Sequence, residues 1–484
     1  MAYEEYLKAI DEEAARITAA SDEVWEAAEL AFSEHKSAAC LTKLLEEEGF
    51  EVQCPAYGIE TAFTGSFGSG KPVIGFLGEF DALGSLSQKA GVAVKEALIP
   101  GANGHGCGHN MLGAGSIAAA VAVKRYLEKT GKSGTVIYFG CPGEEGGSGK
   151  AFMAREGAFS GLDFAITWHP GELNAVSAGS SLANIQVLYK FYGVSSHAAG
   201  SPELGRSALD AVELMNVGVN FLREHMISDA RIHYAILNTG GISPNVVQPY
   251  AEVLYLIRAP KVGQVQELFA RVNKIAEGMA MATETRMEYE IIKACSNVIN
   301  NAVMEKELYK ALKETPLPEY TAEEYAFAEE IKKTSDTSMS KPVERTIENY
   351  LHEENKSYME KRAGKALADY VVPYEEDHII KIGAGSTDVG DVSWMCPTAQ
   401  IGAATWAANS GGHSWQVVAQ GKSSIAHKGL LYAGKVMASA AIHMMENPEI
   451  IEAAKKEYAK KLEGQTYVPI PADVKPRPID KLSR

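Results

Sequence analysis

The sequence has no excess of positive charge, no long apolar run and no clustered cysteines. Its 46 basic side chains are outnumbered by 62 acidic ones, giving a formal charge of −16. A nucleic-acid-binding chain needs a basic footprint, which a balance this acidic does not supply. The most apolar stretch, residues 117–123, is far shorter than the roughly 20 residues that span a bilayer. The start, MAYEEYLKAIDEEAARI, reads as an acidic amphipathic helix and lacks the basic start and apolar stretch of a secretory signal. The six cysteines (Cys40, Cys54, Cys107, Cys141, Cys295, Cys396) form no CxxC pair. Scattered thiols of this kind fit a reducing compartment, so the expectation is a cytoplasmic protein with no membrane or nucleic-acid partner. What is present is 484 residues with 46% hydrophobic and 22% charged content, enough for more than one core.

Along the chain, residues 22–49 carry apolar positions at helical spacing and stop at Gly49, which predicts one helix. Short apolar runs follow at 72–80, 135–143 and 164–171, with helical patterns at 113–129 and 149–156 between them. Runs of this type predict strands buried on both faces of an α/β sheet. From about Asn184 the order becomes strand (NIQVLYKFYGV), helix (205–225), two strands (RIHYAILNTG, AEVLYLIRA), helix (262–281) and strand (RMEYEIIKA). That βαββαβ order predicts a small ferredoxin-like α+β domain inserted whole. The expected division is 1–183 and 295–484 for a split larger domain, with 184–294 inserted. The stretch 313–365, crowded with Glu and Lys, reads as surface helices, and TAQIGAATW (398–406) as a last strand.

Four segments at or after these strands carry groups that can do chemistry. In GANGHGCGHNMLGAG (101–115), Cys107 and His109 stand two apart and in extended chain would point the same way. A thiolate and an imidazole converging on one point suit zinc or a similar ion, against the alternative of a buried cysteine beside a loop histidine. In CPGEEGG (141–147), adjacent carboxylates of an extended chain would face opposite ways. One of Glu144 and Glu145 could then bind metal while the other acts as general base; spacing does not order them. The neighbouring GGSGK lacks the spacing of a phosphate-binding loop. His169 ends the strand FAITWHPG and His413 lies in NSGGHSW, while Asp81 in GEFDAL could orient a ligand histidine or cap a helix. In the inserted region, Arg258 shares a strand face with Leu254 and Leu256 and needs an anion, either a substrate carboxylate or an internal ion pair. Asn245 in GGISPNVVQP offers a neutral donor beside it, and His197 lies just past a strand. His35, His352, His378, His427 and His443 have no such setting and read as structural or surface residues.

Taken in order, GHGCGHN, PGEEGG, WHP, GVSSHAAGSP, RIHYAI, GGISPNVVQ, EVLYLIRAP, STDVGDVSW and the histidine before SWQV resemble the aminoacylase/carboxypeptidase family of two-metal amidohydrolases across essentially the whole chain. The resemblance implies a zinc-exopeptidase-like catalytic domain, a central mixed sheet flanked by helices, with the inserted domain as lid and dimer contact. It implies that Cys107, His109, Glu145, His169 and His413 bind two divalent ions, zinc or manganese, and that Glu144 is the base. By the same resemblance His197 serves the partner subunit's site, Asn245 and Arg258 hold a substrate carboxylate, and His233 lies near that end. The partners implied are a small carboxylate-bearing amide and a second copy of the chain, or a homologous second subunit. Asn110 and Gly84 depart from the family, where many members have Asp and Pro.

The expected reaction is hydrolysis of an amide whose leaving amine carries a free carboxylate. Aminobenzoyl-glutamate is the leading substrate, with other N-acyl amino acids and dipeptides as alternatives. Two rivals are a thiol amidase with Cys107 as nucleophile and a non-catalytic carboxylate-binding protein.

Overall fold

The computed structural model describes residues 3–335, 342–376, 382–383 and 385–478. His378 lies outside the described residues. Three helices open the chain, α1 (Glu4–Glu12), α2 (Ala14–Ala27) and α3 (His35–Glu47). The single helix expected over 22–49 is therefore broken. Residues 28–34 leave helical geometry, with Ala28 and Phe32 at φ 41° and 61°. Periodicity carries across the break because both helices present apolar faces to the same core.

Strands β1 (Glu51–Gln53), β2 (Phe63–Ser69), β3 (Val73–Glu79), β4 (Gly134–Cys141), β5 (Phe164–Gly171) and β6 (Ala175–Val176) follow, with α4 (His109–Thr130), α5 (Glu144–Gly147) and α6 (Gly149–Arg155) among them. The chain then forms β7 (Ser180–Ser181), β8 (Ala183–Tyr192), α7 (Ala208–Leu222), β9 (Arg231–Asn238), β10 (Tyr250–Ala259), α8 (Val262–Ala282), β11 (Arg286–Cys295), β12 (Ile382–Gly383) and β13 (Thr398–Ala404). Contacts divide the chain into two units, one of residues 1–179, 299–381 and 392–467, the other of 180–298, 382–391 and 468–484. The second unit is thus not one continuous insertion, because two later segments join it.

The first unit holds a seven-stranded mixed sheet in the order β1-β2-β4-β3-β5-β13-β6. Its middle four strands are parallel, while β2 and β6 pair antiparallel at their flanks. Helix α4 is buried nearly all round, from His109 to Leu127, as expected of a helix enclosed on every side. It is enclosed by the sheet and the helix Ser424–Glu446. Small residues permit the approach: a Cβ on Gly115 would lie 2.6 Å from the Trp168 ring. No helix among the described residues is long and apolar enough to cross a membrane. The charged stretch 313–365 does contain helices, but Ile331 and Met359 anchor them in buried clusters.

The second unit has a four-stranded antiparallel sheet in the order β11-β8-β10-β9. Alternation explains its two faces. Val187, Tyr189, Val253, Tyr255 and Ile257 pack with Val212, Met215, Leu268 and Val272 of α7 and α8. Leu254, Leu256 and Arg258 alternate with these and are only half-buried.

Candidate active site

The four parallel strands of the first unit end where the site residues begin, at the carboxyl edge that binds ligands in open α/β sheets. β3 leads to Asp81, β4 to Glu144 and Glu145, β5 carries His169 near its end, and β13 leads toward His413. The local geometry differs from extended chain. Gly108 adopts φ +77° and His109 opens α4, so a left-handed turn and not a strand brings His109 toward Cys107. Glu144 and Glu145 likewise form the helical turn α5, with Gly143 at φ +68° before it.

Two groups of donor atoms result. Cys107, His109 and His169 place one donor each within 4.8 Å of one another, and Cys107, Glu145 and His413 do the same. Cys107 belongs to both. Cys107 Sγ lies 3.5 Å from His169 Nε2, and His413 Nε2 lies 3.0 Å from Glu145 Oε1. Bonds of about 2.0–2.3 Å around a tetrahedral ion separate neighbouring ligands by roughly 3.3–3.8 Å, so the Cys107–His169 spacing suits the edge of a coordination shell, while the shorter His413–Glu145 contact is that of a hydrogen-bonded ion pair. The imidazoles are oriented for it: His109 Nδ1 meets Asp81 Oδ1 at 3.0 Å, and His169 Nδ1 meets its neighbouring carbonyl, Pro170 O, at 2.7 Å. Bonding at Nδ1 leaves Nε2 to face a metal. His109 Nε2 is buried and has no hydrogen-bond partner among the described residues. The donor set, its spacing and that buried nitrogen, which makes no hydrogen bond although a Glu79 oxygen lies 3.2 Å away, together fit a pair of divalent cations.

Asp81 does more than the helix cap considered from the sequence. Its second oxygen accepts the Glu145 amide at 2.9 Å, so one buried carboxylate ties β3, α4 and α5 together. Two participants escaped the sequence reading. Glu79 and Lys150 form a buried ion pair at 2.5 Å, and the other Glu79 oxygen lies 3.2 Å from His109 Nε2. Glu79, His109 and Glu144 form a third group of donors within 4.8 Å. Glu79 stands two positions before Asp81 at the same strand end, which was a usable signal; Lys150 gave none beyond the rejected GGSGK. His105, in the same loop as Cys107, is buried with Nε2 bonded to Val24 O at 3.0 Å and belongs to no donor group. Asn110 faces the core, donating to Ser21 Oγ and Gly421 O at 3.1 Å.

The charges respond to burial and to one another. Burial pushes the Cys107 thiol well up, against the pull of His109. Burial also opposes a charged His109, but Cys107, Glu79 and Asp81 outweigh it and raise its pKa. For Glu145, burial acts upward and is outweighed by His413 and His109, leaving it at about 2. His413 is raised by its bond to Glu145. Its loop is fixed by the His413 amide bonding Gly106 O at 2.8 Å, with His413 itself at φ 61°. Glu172 accepts the amides of Asn409 and Ser410 just before it, and burial raises this carboxyl to about 7.

The remaining sequence candidates lie in the second unit. His197 is exposed, and its Nδ1 accepts from the Ala199 and Gly200 amides at 3.2 and 3.0 Å. That bonding makes Nε2 the N–H donor of a neutral ring. Asn245 is exposed beside it, with its carbonyl accepting the Ala198 amide at 3.0 Å. Arg258 aligns across the sheet with Arg231, and His233 with Leu256, so all three polar side chains share the face away from α7 and α8. No carboxylate pairs with Arg258 among the described residues, and its buried Nε has no partner. Of the remaining histidines, His427 pairs with Asp22 at 2.9 Å and His443 bonds Tyr3.

Comparison with known proteins gives four findings. A model of the peptidase family M20/M25/M40 matches residues 75–416. The chain is 47% identical to one of the subunits of the p-aminobenzoyl-glutamate hydrolase of Escherichia coli K12, covering 97% of this chain and 98% of that one. It is 29% identical to the Xaa-Arg dipeptidase of Mus musculus over 94% and 92% of the two chains. Among solved structures, a dinuclear metal-binding M20 peptidase from Bacillus subtilis superposes with a TM-score of 0.55 at 17% identity, covering 90% of this chain and 99% of that one.

Proposed function

The chain belongs to peptidase family M20/M25/M40 and hydrolyses amide bonds, and from that premise we propose that it cleaves N-acyl amino acids bearing a free carboxylate, with p-aminobenzoyl-glutamate the leading substrate. The observation that carries the reading is the convergence of Cys107, His109, Glu145, His169 and His413 into two donor groups that share Cys107, with Glu144 at their edge. Identity of 47% along both full chains supports the substrate. The dipeptidase relative makes dipeptides the alternative within the family.

In this reading the five residues would hold two divalent ions, Cys107 being the donor common to both groups. Mixed thiolate, imidazole and carboxylate donors favour zinc or manganese. Bound there, the ions supply Lewis acidity and a water of lowered pKa. Glu144 takes the proton from the attacking water and returns it to the leaving nitrogen. His197, whose Nε2 is a fixed donor, serves the partner subunit's site and stabilises the oxyanion that develops there. Arg258 and Asn245 hold the substrate carboxylate, with His233 nearby. The lack of a carboxylate beside Arg258 among the described residues supports this over the internal ion pair.

The second unit, with the strand order of a ferredoxin-like domain, serves as lid and homodimer contact. Exposed Leu214, Val217 and Phe221 on α7 and Tyr234 and Ile236 on the edge strand β9 support that role. A homologous second subunit is the alternative partner, since the Escherichia coli relative is named as one subunit of its hydrolase. Six free cysteines accord with a cytoplasmic setting. A Cys107 nucleophile is disfavoured, since a thiol whose pKa burial has raised yields little thiolate by itself.

The test is Glu144→Ala beside chelator-treated and reconstituted wild type, assayed on aminobenzoyl-glutamate, another N-acyl amino acid and a dipeptide. Glu144→Ala is expected to keep its metal and lose about 10²–10⁴-fold in turnover. Wild-type-like turnover in the metal-loaded variant would sink the assignment, and activity that survives chelation would revive the thiol mechanism.

A further inference from the structure

The connector between α2 and α3 touches three loops of the site. Asn103 Nδ2, ahead of Cys107, donates to Ala28 O at 3.1 Å. The Ala82 amide, beside Asp81, donates to Glu29 O at 2.8 Å. The Gly143 amide, beside Glu144, donates to Glu34 Oε1 at 2.9 Å. Phe32 lies against that last loop, where a Cβ on Gly147 would fall 2.2 Å from its ring. Left-handed backbone at Ala28 and Phe32 persists only where surrounding contacts over-determine it.

Glu34 is fully buried and holds the N-cap position of α3, yet makes no cap bond. Glu29 caps the helix in its place, its Oε2 accepting the Lys36 and Ser37 amides at 3.0 and 2.9 Å. The Glu34 carboxyl is thereby turned to the base loop, while Thr61 Oγ holds its second oxygen at 2.9 Å. An acidic N-cap ordinarily satisfies its own helix; this one is directed to a loop more than a hundred residues away.

We infer that Glu34 is a positioning residue for Glu144, an inference that rests on Glu144 as the base. Two carboxylates hold backbone amides of the turn that carries Glu144 and Glu145. Asp81 holds the Glu145 amide, on the ligand side, and Glu34 holds the Gly143 amide, on the base side. Loss of Glu34 frees the base side while Asp81 still fixes Glu145, so the chemical step suffers more than metal retention or substrate binding.

The test compares Glu34→Met, of similar volume but without an acceptor, with Glu34→Gln, which keeps one, in the metal-loaded full chain. The readouts are kcat and KM on aminobenzoyl-glutamate, metal content, and amide exchange in peptides 141–149 and 105–112. Glu34→Met is expected to keep metal and KM, lose about 100-fold in kcat, and exchange faster only in 141–149. Glu34→Gln is expected to recover kcat to within about fivefold of wild type. A Met variant within about threefold of wild-type kcat overturns the inference. So does a loss that Gln does not rescue, or one that follows metal content. Should Glu34→Met not fold, Thr61→Val releases the second oxygen and is expected to give the same changes at smaller size; unchanged kcat and exchange there also overturn it. Glu144→Ala in parallel separates the two ideas. Full activity in that variant removes the base reading beneath the inference, while an inactive Glu144→Ala beside a fully active Glu34→Met removes only the role of Glu34.

Discussion

The two units carry their candidate residues in opposite ways. In the first, the charged groups are buried and bonded to one another: Glu79 to Lys150, Asp81 to His109 and the Glu145 amide, Glu34 to Gly143 and Thr61. In the second, His197 and Asn245 are exposed and Arg258 has no internal counter-charge among the described residues. Burial without a partner is costly, so the first arrangement stands only as a closed network. An exposed or half-exposed group needs no such closure and stays available to a ligand. The difference separates groups fixed by a closed network from groups left open, the ones to which the proposed function gives a ligand.

Breaking the network should cost most. Lys150→Met strands Glu79 in the interior and is expected to lower unfolding free energy by about 3–5 kcal/mol in denaturant titration. Adding Glu79→Leu should recover most of that loss, and no recovery would show that the pair is not a closed unit. Next is Arg258→Met, expected to raise KM by about 10–100-fold while leaving stability within about 0.5 kcal/mol. A destabilised protein with an unchanged KM would place Arg258 with the structural residues and erase the contrast. The smallest effect is a slope. Glu172, whose pKa burial raises from 4.5 to about 7, takes up a proton more readily folded than unfolded. Its contribution to stability is whole below pH 4.5 and is lost as pH rises through about 7. Glu172→Gln should flatten that decline, by at most about 1.4 kcal/mol per pH unit. An identical pH profile in the variant would refute the buried-carboxyl assignment.

Much of this was legible in the residues. Apolar runs without alternation marked β3, β4 and β5, because strands covered on both faces admit few polar residues. Ligand types were readable because few side chains suit a divalent ion and Glu145 and His169 sit near strand ends, whereas Cys107 and His109 lie at the start of α4. Their convergence was not legible in the same way. Extended-chain geometry was assumed at Cys107 and at Glu144, whereas left-handed glycines and helix starts do the work. The helix break at 28–34 was missed because its apolar spacing continues across the gap. The later segments that join the second unit left no periodic signal.

The sequence by itself determined the α/β class, the buried strands β3, β4 and β5, the strand and helix order over 184–294 and the kinds of donor available, since these follow from local patterning and side-chain chemistry. Tertiary structure alone decided that Cys107 belongs to two donor groups, that Lys150 neutralises Glu79, and that Glu34 serves a distant loop in place of its own helix. Those outcomes depend on contacts between residues far apart in the chain, Glu34 and Gly143 being 109 positions apart. Local periodicity cannot encode such pairs, because burial selects a partner only after the sheet has brought the strand ends together.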